Sequence, residues 1–161
     1  LAFELAFRNA MEPALGARAV IEPWSSIYLG TALHVGLLSQ GEDLAPGGRA
    51  SSRDATLRAY GAWGTEFGPV RTYIGPGVRF GVSRGTGLGL TRGKEGYRAM
   101  AGAGLDAGAI WVMAEGWSFA ASVALDVWFP KLSGRFYVDE QEVLELETLR
   151  GWMGMAVGYD F

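Results

Sequence analysis

Apolar and polar residues alternate along almost the whole chain with a period of two. The closing stretch "WMGMAVGYDF" shows the pattern, because mostly small residues separate an apolar set: Met153, Met155, Val157, Tyr159 and Phe161. Such alternation is typical of a β-strand with one apolar face. A long stripe with the helical period of 3.6 is absent from the sequence. The pattern therefore predicts an all-β fold.

Eight strands follow from the alternation, and long polar connections mostly take turns with short tight ones. The strands are predicted over about 1–10, 14–22, 27–38, 55–67, 70–82, 97–109, 117–129 and 149–161. This rhythm favours an antiparallel up-and-down meander with a long-loop rim and a short-turn rim. The link between the first two strands is short where a long one is due. Pro76 cannot donate a ladder hydrogen bond, so we expect a bulge within the fifth strand.

Alternation alone leaves open which face is inside. A soluble, lipocalin-like carrier would enclose the apolar face, whereas a membrane barrel turns it towards lipid. The polar face is mostly Gly, Ala, Ser and Tyr, which suits the narrow interior of an eight-stranded barrel. Strands of about ten residues also match a bilayer. We therefore predict an eight-stranded antiparallel up-and-down transmembrane β-barrel.

Large aromatic residues on the apolar face gather at the strand ends, as they do at the two membrane–water interfaces. The short-turn rim carries Trp24, Trp63, Phe67, Trp117, Phe119, Tyr159 and Phe161, and the long-loop rim carries Phe7, Phe80, Tyr97 and Phe129. Two such belts support the membrane orientation of the barrel.

Length and charge narrow the function. The 161 residues predict one barrel domain, 1–161, and the net charge of −3 gives no basic stripe for nucleic acid. The sequence has no cysteine, which excludes disulfides and thiolate metal sites. The first residues, "LAFELAFRNA", already alternate as a strand. Because a mature protein seldom begins within a strand, we expect a signal peptide, with or without an upstream domain, to precede them.

The stretch "LRGWMGMAVGYDF" resembles the last strand of bacterial outer-membrane barrels, which alternates and ends on an aromatic residue. The strand count and loop rhythm are similar to the small barrels of the outer membrane protein A and X type. The resemblance implies integral location in the bacterial outer membrane, contact with its lipid and lipopolysaccharide, and delivery by the barrel assembly machinery. Tyr159 and Phe161 would then form the assembly signal. Because backbone groups in hydrocarbon must all be paired, we expect this strand to close the barrel against the first.

Charged residues on the polar face are the strongest candidate for a functional site. The predicted interior charge network comprises Glu4, Arg8, Arg58, Arg79, Arg98, Asp106, Asp126 and Arg150, with Arg18 between its halves. We expect Asp126 to lie between Arg98 and Arg150. Paired, these groups would form a salt-bridged plug, whereas an arginine-lined lumen would be an anion-preferring pore. Four aromatic residues that also point inward favour the plug: Tyr60, Tyr73, Trp128 and Trp152.

Other motifs carry little chemistry, and no catalytic, cofactor or metal site is predicted. His34, the only histidine, could be a general base, but it falls on the inward face without a clearly placed serine. "GAGLDAG" mimics a dinucleotide-binding loop but lacks the strand–turn–helix context, so we interpret its glycines as lumen packing. "GTGLGLTRGK" lacks the P-loop spacing and is interpreted as a loop.

The last long connection, "RFYVDEQEVLELE", is predicted to be a hairpin with its tip near residues 139–141. Asp139, Glu140 and Glu142 make this loop acidic, which indicates either a solvated loop or a tip that binds a cation or a partner. Glu145 and Glu147 share the parity of lipid-facing Leu149. The hairpin should therefore stand above the bilayer, or a bulge should shift its phase.

These features predict a non-enzymatic outer-membrane component, which acts as an anchor, as a structural barrel or as a surface protein that binds an extracellular partner through its long loops. The alternatives are a narrow anion-preferring channel, a lipid-modifying enzyme and the soluble carrier.

Overall fold

The computed structural model describes residues 1–8, 12–37, 40–44, 48–88, 95–113, 116–129, 135–138, 141–145 and 148–159. Eleven strands lie in these ranges: β1 (Ala2–Arg8), β2 (Glu12–Trp24), β3 (Ile27–Gly36), β4 (Gln40–Leu44), β5 (Gly48–Phe67), β6 (Val70–Leu88), β7 (Glu95–Val112), β8 (Trp117–Trp128), β9 (Arg135–Val138), β10 (Gln141–Glu145) and β11 (Leu149–Tyr159). Within the same ranges, no helix has the length and apolar character needed to cross a membrane.

Eight of the strands close into one antiparallel barrel. Each of β1, β2, β3, β5, β6, β7, β8 and β11 pairs with the next in that order, and β11 pairs again with β1. The seam runs from Ala2 opposite Gly158 to Arg8 opposite Trp152. The predicted fold and the predicted pairing of the last strand with the first are both confirmed.

The barrel turns its apolar face outward. Along β3, β8 and β11 buried and exposed residues alternate almost without interruption. Phe3 on β1 is 79% exposed, whereas Trp128 on β8 and Arg79 on β6 are fully buried. A water-soluble barrel would have the opposite arrangement. The outer face therefore suits lipid, and the interior holds the polar groups.

The aromatic belts lie where the alternation predicts them. Trp24, Trp63 and Phe67 are exposed at the short-turn rim, and Tyr97 and Phe129 are exposed towards the long-loop rim. Phe161 and its neighbour Asp160 lie outside the described residues.

The segment after β3 differs from the prediction. Residues 40–54 were expected to be a polar loop, but β4 and the first part of β5 occupy most of that stretch, and β6 continues to Leu88. We call these parts, residues 40–44, 48–54 and 83–88, the outer extension. Ser51 and Thr86 share a hydrogen bond of 3.0 Å between their hydroxyls across its strands. Such cross-strand polar pairs stabilise a sheet that has no apolar face to reveal it in the sequence.

The predicted bulge at Pro76 is wrong. Tyr60 pairs with Gly77 and Trp63 pairs with Ile74, so the register is the same on both sides of Pro76. The ladder between β5 and β6 has no pairs between these two points. Because proline removes a donor but adds no residue, the ladder is interrupted there without a shift.

The hairpin predicted in the last long connection is confirmed, because β9 and β10 pair with each other. Their register shifts between Glu142 and Leu144, as in a β-bulge. The backbone of Glu142 belongs to β10, whereas Asp139, Glu140 and Glu147 lie outside the described residues.

Candidate functional site

Among the residues that the structure describes, eight buried charged side chains face the interior, and their charges cancel. The acids are Glu4, Asp54, Asp106 and Asp126, and the bases are Arg18, Arg58, Arg79 and Arg150. Charged groups persist in such an environment only when they are paired and hydrogen-bonded. The barrel brings them together in three groups.

The first group, the Glu4 cluster, lies in the half of the barrel near the short-turn rim. Arg18 donates to Glu4 through Nη2 at 2.6 Å and through Nε at 3.1 Å, which makes a two-pronged pair. Arg18 also donates to the Tyr73 hydroxyl at 2.7 Å and to the Ser122 hydroxyl at 2.6 Å. Ser122 in turn donates to Glu4 at 3.1 Å. The cluster ties β1 and β2 to β6 and β8 across the interior.

His34 borders this cluster. Its Nε2 lies 3.1 Å from Glu4 Oε2, within ion-pair distance but not aligned for a hydrogen bond. The ring packs against Trp152 with the centroids 5.3 Å apart, and it is fully buried. The Glu4 carboxylate contacts both His34 and Ser122, whereas nucleophilic catalysis needs the histidine next to the hydroxyl. The arrangement therefore differs from a nucleophile–base pair.

The second group, the Arg79 cluster, lies at mid-height. Arg79 donates to Asp126 Oδ1 at 2.6 Å and to Asp106 Oδ2 at 2.5 Å, and Arg58 donates to Asp106 Oδ1 at 2.6 Å. Gly104 on β7 lies between β6 and β8, and a Cβ there would be 2.4 Å from Asp126 Oδ1. The glycine leaves the gap through which Arg79 and Asp126 meet.

The third pair lies nearer the long-loop rim. Arg150 Nη1 donates to Asp54 Oδ2 at 2.9 Å, and the guanidinium sits over the Trp128 ring at 5.1 Å. A cation above an indole face is attracted by the ring quadrupole. Trp128 and Arg150 are both fully buried at this level of the interior.

Aromatic side chains fill the remaining space by lying over glycines. A Cβ on Gly30 would be 2.1 Å from Tyr60 Cζ, and one on Gly64 would be 2.4 Å from the Tyr28 ring. Tyr60 stacks on Tyr73 with centroids 5.6 Å apart and planes 9° apart. These interlocked rings occupy the interior at the level of the tyrosines.

The structure places most of the predicted network inside but not all of it. Arg98 is exposed and lies opposite Ser83, whereas Asp126 lies opposite Gly104, so the predicted contact between Arg98 and Asp126 is wrong. Arg98 precedes Gly104 by six positions, which displaces the arginine by roughly 20 Å along β7. The backbone of Arg8 lies in β1, and its side chain is outside the described residues.

The sequence did not predict the interior position of Asp54 or the contact of His34 with Glu4. Asp54 was assigned to a loop, although its alternation with exposed Arg53 could have placed it on an inward face. His34 was placed inward, but its contact with Glu4 could not be foreseen because the two lie on non-adjacent strands. Of the predicted assembly signal, Tyr159 ends β11 on the outer face and packs edge-on against Trp117 at 5.6 Å.

The two glycine-rich motifs of the sequence lie in or beside strands. "GAGLDAG" lies within β7 as continuous strand, and its Gly102 and Gly108 lie close to Trp128 and Tyr73, which confirms lumen packing. "GTGLGLTRGK" falls partly in β6 and otherwise outside the described residues.

A closed antiparallel barrel with an apolar exterior and a paired, filled interior is a transmembrane β-barrel. Solved structures show the same fold. The N-terminal β-barrel domain of Pseudomonas aeruginosa OprF is 16% identical, with a TM-score of 0.55 over 99% of this chain and 96% of that one. Neisserial surface protein A is 13% identical, with a TM-score of 0.59 over 99% and 92% of the two chains.

A third similar structure is Ail, the attachment invasion locus protein of Yersinia pestis. It is 11% identical, with a TM-score of 0.55 over 98% of this chain and 91% of that one. No protein-family model matches the sequence, and no curated protein matches it either. The likeness confirms the fold of the small outer-membrane barrels. The apolar exterior of this chain shows in addition that the barrel is suited to lie in a membrane.

Proposed function

We propose that the barrel is a non-conducting, non-enzymatic membrane component, which acts as an anchor or structural barrel and presents its long-loop side to a partner outside the cell. The observation that carries the proposal is the described part of the interior, where four arginines and four acids pair among packed aromatic rings. An anion-preferring pore would need arginines without matching acids. The known long-loop orientation of bacterial barrels puts that rim outside the cell.

The burial of His34 supports a role without catalysis. An enzyme that modifies membrane lipid needs its base at the lipid boundary, but His34 is fully buried beside Glu4. We therefore favour the functions of an anchor or of a surface protein, and the barrels of similar fold provide examples of both. The proteins of similar structure include a barrel domain, a surface protein and an attachment invasion protein.

The proposed partners are lipid, the assembly machinery and an extracellular molecule. The apolar exterior fits outer-membrane lipid and lipopolysaccharide, and the end of β11 would be read by the barrel assembly machinery. The outer extension and the β9–β10 hairpin are the surfaces we assign to an extracellular partner.

The first experiment refolds the protein from urea into lipid vesicles and compares gel mobility before and after boiling. A closed membrane barrel should resist the gel detergent and migrate differently until boiled. Folding in plain buffer without detergent would contradict the membrane function.

The same folded protein is then tested in planar bilayers, where we expect no unitary conductance. Steady anion-preferring steps that fall in R150Q would instead identify a channel and overturn the filled-interior proposal. R98Q, at an exposed position, tests whether such a current depends on the mouth rather than on the interior.

A further inference from the structure

The ladder between β5 and β6 is open at one point of the barrel wall. Successive residues of an antiparallel strand turn their backbone groups to alternate neighbours. Gly64 on β5 donates its N–H to Ser26, which precedes β3, so the odd-numbered residues of β5 turn towards β6. A Cβ on Gly75 would accordingly collide with the carbonyl oxygen of Gly61. The register places Gly61 in line with Pro76.

The carbonyl of Gly61 lacks its ladder donor. Pro76 has no N–H, whereas any other residue at that position would donate to this oxygen. The described side chains that donate to carbonyls of β5 reach other residues: Thr31 donates to Arg58, Thr72 to Thr65 and Ser83 to Arg53. No described side chain therefore takes the place of the missing N–H.

This carbonyl lies near the middle of the apolar band. Gly61 precedes Phe67, the exposed aromatic residue at the short-turn end of β5, by six positions. At about 3.3 Å per residue and a tilt of about 45°, Gly61 stands roughly 14 Å above Phe67, in a band about 25 Å tall. Hydrocarbon holds no water to donate to an acceptor, and an acceptor without a donor is costly there. The position therefore favours a donor that arrives from the lipid side.

A recess of about 520 Å³ opens over this carbonyl. Its lipid-facing border consists of Leu29, Ala59, Gly61, Pro76 and Val78, and we call it the Pro76 recess. Leu29, Pro76 and Val78 are exposed, whereas the small residues Ala59 and Gly61 are half-buried between them. These side chains offer only apolar contacts. The recess therefore suits an apolar chain that carries one hydrogen-bond donor.

The surroundings select a hydroxyl as that donor. A charged amine would lose its hydration in hydrocarbon, and an amide would bring a carbonyl that needs a donor of its own. A hydroxyl is neutral and brings a single donor. The barrel shows this geometry at the same height, where Thr31 is exposed opposite Ala59 and donates to the Arg58 carbonyl at 3.0 Å. A hydroxyl on the lipid side can therefore reach a carbonyl of the wall.

We propose that the Pro76 recess binds a hydroxylated acyl chain of a membrane lipid, whose hydroxyl donates to the Gly61 carbonyl. The chain would lie along Leu29 and Val78 and keep its head group at the membrane surface. This site goes beyond the proposed function, although it rests on the membrane location that the function assumes. A second copy of the barrel is disfavoured, because the described outward hydroxyl at this height, on Thr31, already donates to its own wall.

The test labels the glycine carbonyls with carbon-13 and places the folded barrel in micelles of dodecylphosphocholine, a detergent without a hydroxyl. Titration with 12-hydroxyoctadecanoic acid should shift the Gly61 carbonyl resonance until the site is saturated. Octadecanoic acid, the same chain without the donor, should bind roughly tenfold more weakly, because one hydrogen bond within the membrane is lost.

Three variants separate the carbonyl from the shape of the recess. P76A supplies the missing N–H, so it should bind the hydroxy acid no more tightly than octadecanoic acid. A59L fills the recess but leaves the carbonyl without its ladder donor, so both acids should bind weakly. V82A is the matched control, because it shortens an exposed residue on the same face of β6 outside the recess. Its affinity for the hydroxy acid should not change.

Equal affinities of the unaltered protein for the two acids, or an undiminished preference for the hydroxy acid in P76A, would overturn the proposal. A Gly61 carbonyl resonance that coincides with that of P76A before any ligand is added would also overturn it, because a water would then be the donor. A dimer that P76A abolishes would overturn the choice of a lipid.

Gel mobility before and after boiling separates failure of this site from failure of the membrane function. A protein that never forms a heat-modifiable barrel in lipid overturns the membrane function and the site with it. Variants that all form the barrel, without any preference for the hydroxy acid, overturn the Pro76 recess alone.

Discussion

Several large side chains inside the barrel lie over glycines on neighbouring strands. Tyr60 covers Gly30, and Tyr28 covers Gly64 on the neighbouring strand. Neither glycine has a positive φ, so their value is space and not backbone freedom. At the residue scale, the interior is specified by pairs of one large and one small residue.

Gly30 and Gly61 provide a matched test of this pairing. In G30A the new Cβ would be 2.1 Å from Tyr60, whose ring is held by its stack on Tyr73, so we expect the free energy of unfolding to fall by about 1–3 kcal/mol. In G61A the nearest atom is Leu29 Cδ2 at 3.6 Å, so the change should stay within about 0.5 kcal/mol. Urea unfolding in lipid vesicles measures both. Equal losses of unfolding free energy in G30A and G61A would show that the interior side chains rearrange to accommodate the new methyl group.

At the element scale, the tight turns set the short-turn rim. The turn between β2 and β3 places Ser26 at φ 68°, and the turn between β5 and β6 places Gly68 at φ 60°. Two-residue hairpin loops need this left-handed region, which glycine enters without strain. Serine tolerates it only at a cost of roughly 1–2 kcal/mol.

Opposite substitutions at these turns should therefore have opposite signs. S26G should raise the free energy of unfolding by about 0.5 kcal/mol, because relief of strain exceeds the added freedom of the unfolded chain. G68A should lower it by about 1 kcal/mol, although no atom lies within 4 Å of the new Cβ. Urea unfolding of S26G and G68A in lipid vesicles measures both changes. A loss of stability in S26G would mean that the serine hydroxyl stabilises the turn.

The membrane part of each strand could be predicted from sequence, whereas the outer extension could not. Lipid requires an apolar residue at every second position, as at Val78, Phe80 and Val82. This requirement produces the period-two alternation that is visible in the sequence. Above the bilayer the requirement ends, so β4 and the first part of β5 carry no such signal. Their strands are set by cross-strand partners that a single sequence does not reveal.

Heights inside the barrel escaped prediction for a related reason. Alternation tells which side of a strand a residue faces but not how far neighbouring strands are staggered. Arg98 was therefore assigned to Asp126, although its strand places it well above. The true partner, Arg79, lies two strands away and is reached across Gly104.

At the scale of the whole molecule, a neutral interior sits inside an apolar exterior. The four buried arginines are matched by four acids, so no charge of the described interior needs water or a counterion. A change in one member should therefore act through the charge it leaves behind. If Arg79 is removed, Asp106 still has its ion pair with Arg58. Among the described contacts, Asp126 has an ion pair only with Arg79.

Removal of Arg79 tests this balance. R79M should cost about 3–5 kcal/mol of unfolding free energy, because it leaves Asp126 buried and charged. Adding D126N should restore part of the loss, even though a second native residue is removed. R71M at the exposed Glu66 pair should cost at most about 1 kcal/mol. Additive losses in R79M/D126N, measured by urea unfolding in vesicles, would contradict the balance.

The interlocking of glycine and aromatic side chains also constrains how this sequence can diverge. A glycine such as Gly30 can acquire a side chain only when Tyr60 becomes smaller at the same time. Outward positions such as Leu33 or Val157 face fluid lipid and can exchange among apolar residues one by one. Related barrels should therefore accumulate correlated pairs of substitutions at inward positions and independent substitutions at outward positions. Sequence similarity between them should persist longer among the lumen residues than among the lipid-facing ones.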